Sequence, residues 1–552
     1  MTDTIVYYAV GPVHLQNLRL IAQEMPNWSF CLAYRPKSVW WLTPQHLDSL
    51  SFERVALTNN QVPEALWFSD VRAVIFSTVQ PKQAVINLLY GALVRNVPTI
   101  AVEESLQIAF NGGRINNYVL PVDCLLVGSD HERRGMIAAG ISEQRVEVTG
   151  WPFYAGRMGK ATPGERAEMK QRLGLDPDKP VAALTLTALH DAGESPAVRC
   201  RQLALASRGV PSGFQLVIKP HPIEPIERLM PFVEAHAPQA AVVDGSVPIH
   251  ELLGATDVLL NRGVSQVCVE ALLQCIPVVV LDTGITTPFH GPARSVVVTS
   301  PSELTQTLLH LTQGEDPMRA YNVFMETHMP YSPLGARRRV CHHVATIASQ
   351  LHSGQNRAEQ QFDLGLYQAW RFDHSLAVGM LSQDNLKGAD QPVNALRRLV
   401  QFQATREDLR TLLSYSEDDF RGQVLRCLWI DQLVHRRERP TKEDLEWMRG
   451  FPPHLNTSWF AQHLERWASL LLTSGYKPAA RAWAERLERE FLHVRAVPEL
   501  IRRIELGQKP WGRAVYRFGK AMERSQVFVR RLGGTLARIG RGCGSGTADE
   551  GN

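Results

Sequence analysis

The sequence predicts an α/β protein with two Rossmann-like domains that face each other across a cleft, followed by an α-helical C-terminal region. Three observations lead to this prediction. Short apolar runs alternate with helical stretches from residue 5 onward, the turn Thr149-Gly150-Trp151-Pro152 interrupts the pattern, and the same alternation then resumes as far as residue 311. Such alternation is typical of parallel strands joined by crossover helices.

The apolar runs define the strands of both domains. In the first domain, at 1–150, strands are predicted at 5–10, 30–34, 71–76, 99–102, 124–127 and 146–148, with helices at 13–25, 84–94 and 131–139. In the second domain, at 151–352, strands are predicted at 181–186, 214–218, 241–243, 258–260, 278–281 and 295–298, and helices at 197–207, 223–235, 249–253, 265–275 and 302–311. A last helix near 334–350 is expected to cross back to the first domain.

The pattern changes beyond residue 353, where β-rich runs become rare and helical ones common. Residues 353–507 are therefore predicted to form an α-helical domain. The segments 461–474 and 478–491 resemble an antiparallel helix pair joined by Gly475-Tyr476, with Trp467 and Trp483 at helical spacing from neighbouring leucines. This pair resembles one degenerate tetratricopeptide unit, but no clean 34-residue period repeats, so a generic helical domain is the prediction.

Composition agrees with a large enzyme that lacks a metal site. The 552 residues suggest two to four domains, and 44% apolar residues suffice for ordinary cores. A formal net charge of +4 is too small to indicate nucleic acid as a partner. The eight cysteines show neither a CxxC motif nor a His/Cys cluster, which favours a reducing compartment. We see no signal peptide and no apolar run of about 18 residues, so any membrane association is expected to be peripheral.

The motif with most chemical content is Lys219-Pro220-His221-Pro222, which follows the apolar run at 214–218. About forty residues later a second strand leads through Asn261-Arg262-Gly263 into a helix that carries Glu270. Open α/β sheets bind ligands at the carboxyl ends of their strands, and helix N-termini add free N–H groups. A nucleoside diphosphate would suit such a place, with Lys219 as a point charge and His221 as a donor to the leaving phosphate.

These motifs resemble the nucleotide-binding half of GT-B glycosyltransferases, most closely the capsule and teichoic-acid branch. In that branch a K-P-H-P turn precedes a strand that begins with Asp, a helix reading S-x-x-x-x-E-A and an apolar P-V-V strand. Here these features are found at 219–222, 257–271 and 277–280, within a resemblance that covers roughly residues 1–350. The chain departs from the branch at Arg262-Gly263-Val264, where many members have a polar Asp/Ser-rich turn, so the identity of the nucleotide stays open.

The resemblance implies donor-binding roles for a set of residues in the second domain. Glu270 would hold the ribose hydroxyls, backbone groups of Val247 and Ile249 would read the base, and the remaining residues would contact the phosphates: Thr187, His190, Lys219, His221, Gly263 and Ser265. Ordinary readings stay open beside these roles. Lys219 and His221 also suit a solvated turn, Ser265 suits a simple helix cap, and Glu270 suits a solvated helix carboxylate.

The general base is expected in the first domain. Glu103 and Glu104 follow the strand at 99–102, where many relatives carry His-Gly, and His14 follows the first strand. A carboxylate or imidazole at a strand end that faces the cleft can accept a proton from an acceptor hydroxyl. Cationic side chains that stabilise the departing diphosphate take the place of a metal ion, so neither a metal nor another cofactor is predicted.

The sequence therefore predicts a metal-independent glycosyltransferase that uses a nucleotide-sugar as co-substrate. Its acceptor would be a hydroxyl on a lipid-linked glycan or a protein, in the synthesis of surface polysaccharide or glycoconjugates. The expected location is the cytoplasm or, peripherally, the inner face of the membrane. Three alternatives stay open: transfer of a polyol phosphate from a CDP donor, epimerisation of a nucleotide-sugar, and a non-catalytic scaffold whose helical region docks a partner.

The C-terminal segment 508–552 has a character of its own. Residues 508–541 hold nine basic residues against one acid, Glu523, and the tail 540–552 is rich in glycine and predicted to be disordered. Trp511, Val515, Phe518 and Met522 fall on one face of a helix. A basic amphipathic helix suits an anionic membrane surface, although a helix packed on the helical domain fits the same pattern.

If residues 508–541 bind membranes, the full chain will co-sediment with anionic vesicles at low salt and a truncation ending at Gly507 will not. Added salt will weaken the interaction, because surface attraction of this kind is screened within a Debye length. Equal partitioning of the two proteins, or binding that ignores salt, would rule out the membrane role of the segment.

Overall fold

The computed structural model divides into two compact units, residues 1–424 and 425–552. The residues that it describes are 3–9, 11–35, 47–48, 50–57, 62, 64–67, 70–77, 83–103, 106, 119–138, 141–154, 159, 161–188, 195–222, 224–284, 287–290, 296–313, 318–349, 357–370, 374–381, 391–416, 420–450, and the separate positions 463, 467, 470–471, 474–476, 478–480 and 482.

The first sheet has seven parallel strands in the order β3-β2-β1-β4-β5-β6-β7. They are β1 (Thr4–Ala9), β2 (Ser29–Tyr34), β3 (Glu53–Ala56), β4 (Val71–Phe76), β5 (Thr99–Val102), β6 (Cys124–Val127) and β7 (Val146–Val148), with helices α1 (Pro12–Glu24), α2 (Gln83–Val94) and α3 (Asp130–Ala138) between them. The six predicted strands are present. The sequence missed β3, because this strand at the sheet edge is mostly exposed and carries charged residues.

Helices cover both faces of this sheet, which explains why its strands read as unbroken apolar runs. Val6 and Tyr8 of β1 belong to the core on one face, whereas Ile5 and Tyr7 belong to the core on the other. This alternation is the period of two that a strand imposes on its side chains.

The second sheet has six parallel strands in the order β10-β9-β8-β11-β12-β13. They are β8 (Val181–Thr185), β9 (Gln215–Lys219), β10 (Ala241–Val242), β11 (Val258–Asn261), β12 (Val278–Leu281) and β13 (Val297–Val298). The helices around them are α4 (Pro163–Arg172), α5 (Pro196–Gly209), α6 (Ile226–His236), α7 (Ile249–Ala255), α8 (Val267–Leu273) and α9 (Pro301–Gln313). The predicted fold class, two Rossmann-like sheets followed by helices, is confirmed.

The chain then returns to the first sheet. Helix α10 (Asn322–His328) leads into α11 (Pro333–Ser349), whose Val340 and Val344 share a core with Leu18 of α1. An ion pair of 2.7 Å between Arg337 and Glu24 fixes the same contact at the surface. The predicted crossover helix is therefore present.

Helices beyond residue 353 also contact the first sheet. In α12 (Arg357–Trp370) and α13 (His374–Leu381), Leu364, Tyr367 and Met380 join the core on the face opposite α11. A buried charge cluster reinforces this packing, since Arg421 contacts Glu359 and Asp363 at 2.7 Å each. The domain boundary at residue 353 stays a prediction, but the helices just beyond it share the core of the first sheet.

Pairs of helices follow, and the same local structure ends the first helix of each pair. The helices are α14 (Gln391–Val400), α15 (Arg406–Ser416), α16 (Phe420–Arg436) and α17 (Lys442–Gly450). Phe402, Arg437 and Gly475, spaced 35 and 38 residues apart, all adopt positive φ. After each of them an N–H reaches back five residues, as Gln403 does to the Arg398 carbonyl at 2.8 Å. This is a Schellman-type helix end. A repeat of about 36 residues, which the sequence did not reveal, is therefore present in the turns.

The second helix of these pairs begins with a repeated cap. The carboxylate of Asp408 accepts from the backbone N–H of Thr405 at 2.8 Å, and the Thr405 hydroxyl accepts from the N–H of Asp408 at 3.2 Å. Thr441 and Asp444 repeat the arrangement at the start of α17. Such reciprocal caps satisfy N–H groups that the first turn of a helix leaves without partners. Most of the helix pair predicted at 461–491, and all of the basic segment 508–552, lie outside the described residues.

Among the helices that the structure describes, none combines the length and the apolar character needed to cross a membrane.

Two glycines with different surroundings allow a test of packing at the junction between the domains. A Cβ atom at Gly128 would lie 1.7 Å from the ring of Trp151, which is fully buried, whereas a Cβ at Gly164 would meet nothing within 4 Å. We expect Gly128→Ala to destabilise the protein by about 3 kcal/mol or more, since overpacking forces the backbone or the indole to move. Gly164→Ala, in the first turn of α4, should be neutral or slightly stabilising.

Urea unfolding followed by circular dichroism measures both variants. A Gly128→Ala midpoint equal to that of Gly164→Ala would show that Trp151 does not occupy the space above Gly128.

Candidate functional site

The strand order of the second sheet reverses between β8 and β11, and the carboxyl ends of these strands flank a crevice. One side chain joins the two ends. The Asn261 amide donates to the Thr185 carbonyl at 3.1 Å and to the Thr185 hydroxyl at 2.8 Å, and its oxygen accepts from the Gly263 N–H at 2.8 Å. Because all three bonds are buried, Asn261 fixes the spacing of the strand ends and the turn that follows β11.

Gly263 is the residue that this turn requires. Its φ of +74° lies in the left-handed region that favours glycine. A Cβ atom there would also lie 2.8 Å from the Thr287 hydroxyl and 3.2 Å from the Phe289 ring. The loop after β12 therefore packs directly against the backbone of the crevice. Gly263, predicted as a phosphate contact, supplies close packing here.

Arg262 lies between Asn261 and Gly263 and is 2% exposed. Its guanidinium Nη2 is 3.5 Å from the hydroxyl of Thr187, which follows β8 on the other side of the crevice. The sequence marked Arg262 only as a departure from the family pattern. The structure places this cation at the strand reversal, beside a residue that was predicted to contact phosphate.

Lys219, at the end of β9, is 3% exposed and contacts the loop before α7. Its ammonium group donates to the Gly245 carbonyl at 2.7 Å and approaches the Asp244 carbonyl at 3.4 Å. Burial lowers the pKa of Lys219 to about 8, and the negative charge of Asp244 opposes this shift only in part. The side chain therefore holds the 244–245 segment in place at the cost of removing an ammonium group from water.

His221 is half-buried and lies where two loops meet. Its carbonyl accepts from the Glu224 N–H at 2.8 Å, and the same oxygen lies 3.4 Å from where a Cβ of Gly245 would be. The Val247 N–H donates to the Asp244 carbonyl at 3.1 Å, so this backbone donor of the predicted base-binding segment is already used within the loop. Ile249 opens α7 with a half-buried side chain that packs on the core.

A buried ion pair links the loops after β8 and β9, and sequence reasoning missed it. Arg199 of α5 is fully buried and binds both carboxylate oxygens of Glu224, one of them at 2.9 Å. The same guanidinium donates to the Thr187 carbonyl at 2.7 Å. Arg199 thus ties the Thr187 loop to the end of the K-P-H-P turn. The signal in the sequence was the spacing of Arg199, which precedes Leu203 by four residues and Ala206 by seven and so falls on the apolar face of the helix.

Helix α8 begins at Val267, two residues later than predicted, and has seven residues. The Ser265 hydroxyl accepts from the Val267 N–H at 3.4 Å, and the Gln266 side chain accepts from the Tyr154 hydroxyl. Glu270 lies in the first turn of α8 and is 6% exposed. Its side chain is therefore mostly buried, and its predicted contact with the ribose stays a prediction.

In the first domain, His14 lies in the first turn of α1 and is 7% exposed. Its Nδ1 accepts a hydrogen bond from the Gly11 N–H at 3.2 Å. In a neutral imidazole an accepting Nδ1 leaves the proton on Nε2. In this tautomer Nε2 of His14 is a hydrogen-bond donor, and the role of His14 as a general base stays a prediction.

Two buried carboxylates lie at neighbouring strand ends of the first sheet. Glu103 follows β5, is 1% exposed, and donates its N–H to the Leu126 carbonyl at 2.9 Å. Glu132, which the sequence analysis did not single out, follows the adjacent strand β6 and is fully buried, with its N–H on the Ser129 hydroxyl at 3.3 Å. In the sequence, Ser129 shortly after the apolar strand β6 indicates the start of a helix, and Glu132 lies in the first turn of that helix.

One apolar core includes residues from both domains. Leu106, three residues after Glu103, lies in the same core as Tyr154, Val267 and Phe289. Leu106 therefore belongs to the core on which helix α8 and the loop after β12 pack.

Aromatic side chains form the junction between the domains. The rings of Phe289 and Phe324 stack at 4.7 Å, Phe324 contacts His328 at 4.9 Å, and His328 meets His131 of α3 edge-on at 4.9 Å. The Trp151 indole N–H donates to the His328 carbonyl at 2.6 Å.

The two histidines of this junction have lowered pKa values. Burial lowers the pKa of His328 to about 4, and burial together with the positive charge of Arg134 lowers the pKa of His131. Both rings are neutral at physiological pH.

Two predicted site residues, Glu104 and His190, lie outside the described residues. Within the described part of the chain, no group of three or more His, Cys, Asp or Glu side chains could hold a metal ion.

Comparisons with known proteins give structural likenesses only. No family model matches the chain, and no curated protein matches it. Anabaena HepE in complex with UDP and glucose is 13% identical, with 62% of this chain and 100% of that chain covered and a TM-score of 0.44. The UDP-GlcNAc 2-epimerase of Neisseria meningitidis bound to UDP-GlcNAc is 13% identical, with 63% and 100% covered and a TM-score of 0.43. The wall teichoic acid polymerase TagF is 13% identical, with 63% and 89% covered and a TM-score of 0.44. At such values these likenesses carry no argument about this chain.

The Arg199–Glu224 pair gives a stability prediction. Removing one partner leaves the other charge buried, so Arg199→Met and Glu224→Gln should each cost about 3–5 kcal/mol. The double variant Arg199→Met with Glu224→Gln should cost much less than the sum of the two single variants, because no charge is then stranded. Chemical unfolding measures the three free energies, with the exposed Arg201→Met of the same helix as the control. Additive effects would mean that the two side chains do not interact.

The junction histidines give a pH prediction. The pKa of His328 is depressed in the folded protein, so the unfolded chain takes up its proton first. The stabilising effect of a neutral His328 is complete above about pH 6.5 and declines as the pH falls toward 4. In urea unfolding between pH 7.5 and 4.5, His328→Gln should lose less stability than wild type. The exposed His310→Gln should behave as wild type, and parallel curves for all three proteins would contradict the burial of His328.

Proposed function

We propose that the protein is a glycosyltransferase that moves a sugar from a nucleotide-sugar donor to a hydroxyl acceptor. One observation carries the proposal. At the strand reversal of the second sheet, Thr187 lies beside Arg262, and the mostly buried Glu270 lies in the helix that follows. Leu106, three residues after the buried carboxylate Glu103, belongs to the same core as Val267 of that helix. Group transfer from an activated sugar needs anion-binding groups on one side of a cleft and a proton acceptor on the other.

On the donor side, we propose that cationic side chains lie next to the phosphate of the donor, on which negative charge develops during the reaction. As the bond between sugar and phosphate breaks, negative charge grows on the departing nucleotide. Cationic and N–H donors fixed in a buried crevice stabilise that charge without reorganising, which is the largest contribution in many such sites. Half-buried His221 is suited to donate to the leaving phosphate, and Glu270 is suited to accept from the ribose hydroxyls.

On the acceptor side, we assign the general base to Glu103. The residue is 1% exposed and lies directly after β5, and a carboxylate at such a strand end can accept a proton from an acceptor hydroxyl. Glu104 keeps the same role as a second candidate. We further propose a hydroxyl of a surface glycan or glycoconjugate as the acceptor, and the inner face of the membrane as the place of reaction.

Nucleotide binding tests the proposal first. Thermal-shift measurements with UDP, GDP, CMP, CDP and TDP should identify one diphosphate that stabilises the protein by about 2.7 kcal/mol at a hundred times its dissociation constant. Glu270→Gln should weaken that binding by about 1–3 kcal/mol, because a charged acceptor is lost, while the exposed Glu227→Gln of α6 should not. A protein that no nucleotide stabilises is not a nucleotide-sugar enzyme.

Transfer is tested with the sugar donor of the nucleotide so identified. Glu103→Gln should slow transfer by about 10²–10⁴-fold and leave nucleotide affinity unchanged, since a base acts only in the chemical step. His221→Ala should slow transfer by about 10²–10³-fold. Nucleotide binding without transfer or hydrolysis of any donor would support the non-catalytic alternative, and a preference for CDP would favour polyol-phosphate transfer.

A further inference from the structure

The segment that joins the two sheets, Thr149–Tyr154, is buried throughout, although connecting segments usually lie at the surface. Two neighbouring side chains of this linker enter different cores. Phe153 belongs to the core that α1 and α11 share with the first sheet, and Tyr154 belongs to the core beneath α8. We propose that Tyr154 is a positioning residue that sets the first turn of α8, and that the linker thereby couples α8 to α1. This inference rests on the proposed function, because α8 carries Glu270.

Tyr154 reaches α8 through a side-chain hydrogen bond. Its hydroxyl donates to the side-chain oxygen of Gln266, which is the N-cap residue of α8. The Gln266 carbonyl in turn accepts from the Glu270 N–H at 3.1 Å. Gln266 therefore lies between the linker and the residue predicted to bind the ribose. A helix of seven residues has few other contacts to set its direction, so the position of its N-cap strongly affects where Glu270 lies.

Phe153 contacts the acceptor side of the protein. Its ring meets the ring of His14 edge-on, with 6.2 Å between the ring centroids, and it shares a core with Val340 of α11. Because Phe153 and Tyr154 are adjacent in the chain, neither side chain can be displaced far without the other. A continuous series of contacts therefore leads from His14 to Glu270: a ring contact, a peptide bond, a side-chain hydrogen bond and a helical hydrogen bond.

The residues before Phe153 hold the linker in place. The Trp151 indole donates to the His328 carbonyl at 2.6 Å, and its ring lies where a Cβ of Gly128 would be. Gly150 has a φ of +87°, and a Cβ there would lie 2.8 Å from the Cβ of Ala336 in α11. Packed side chains and hydrogen bonds of this kind are the physical means by which two sites become energetically coupled.

A double-mutant cycle tests the hydrogen bond. Tyr154→Phe removes the donor and keeps the ring in the core, and Gln266→Met removes the acceptor at similar volume. Calorimetry on the full chain with UDP, GDP and CDP identifies the diphosphate that the wild type binds most tightly. We expect each single variant to weaken this binding by about 3- to 10-fold, the range of one hydrogen bond. The double variant should bind about as well as the weaker of the two single variants, because both remove the same interaction.

Tyr321→Phe is the matched control. Tyr321 is a fully buried tyrosine of the same core, and its hydroxyl donates to the Val278 carbonyl. Loss of this hydroxyl should lower the midpoint of urea unfolding and leave nucleotide affinity unchanged. A purely structural role of Tyr154 would give the same pattern in Tyr154→Phe, so nucleotide affinity separates positioning from stability. Circular dichroism confirms that each variant is folded.

Hydrogen exchange measured by mass spectrometry gives a second readout. At saturating diphosphate, the wild-type protein should exchange more slowly in α8 and also in α1, which belongs to the other domain. In Tyr154→Phe, saturated with the same diphosphate, the slower exchange should persist at least in part in α8 and should be lost in α1. The control Tyr321→Phe should retain both effects.

The outcomes are distinct. The inference is overturned, while the proposed function stands, if folded Tyr154→Phe and Gln266→Met bind the diphosphate as the wild type does, or if their effects add in the double variant. Exchange in α1 that responds equally to the diphosphate in wild type and Tyr154→Phe, or that does not respond in the wild type, overturns the coupling. If none of the three diphosphates binds to the wild-type protein, both the proposed function and the inference fail.

Discussion

The ion pair between Arg199 and Glu224 determines the arrangement of the loops at the carboxyl end of the second sheet. Two loops leave neighbouring strands, and a single guanidinium fixes them relative to each other through the Glu224 carboxylate and the Thr187 carbonyl. Burying both charges is expensive, and apolar residues of similar volume would often be as stable. The pair instead fixes the positions of the two loops, because each loop makes directional hydrogen bonds to the same guanidinium. The crevice between β8 and β11 is therefore preformed rather than assembled around a ligand.

Around this pair, each polar group at the carboxyl end of the second sheet has a different structural role. Asn261 sets the distance between two strands, Lys219 holds a loop, and Gly263 allows the closest packing of the loop after β12. Such a division means that few of these side chains can be exchanged without altering the geometry of their neighbours. Opposite them, the first domain contributes buried carboxylates and an accepting histidine nitrogen. The two domains thus present chemically unlike groups at the carboxyl ends of their strands.

Much of the fold could be predicted from the sequence, because strands buried on both faces are unbroken apolar runs and their order in the chain limits the topology. The place of Lys219 at a strand end followed in the same way. Its bonds to the 244–245 carbonyls could not be predicted, since they join residues 25 and 26 positions apart through a loop without periodicity. The repeat in the helical region was hidden for another reason: Phe402 and Arg437 take the positive φ that glycine takes at Gly475, so the turns share a conformation but no residue type.

The aromatic side chains at the junction give the protein a property that neither sheet has alone. Phe289 lies against Gly263 at one end, and the contacts through Phe324 and His328 reach His131 on a helix of the other domain. Close packing leaves little room for one ring to move without its neighbours, so strain in such a row is transmitted. The four rings therefore connect the loop after β12 to helix α3 of the other domain by continuous contact instead of by a flexible linker.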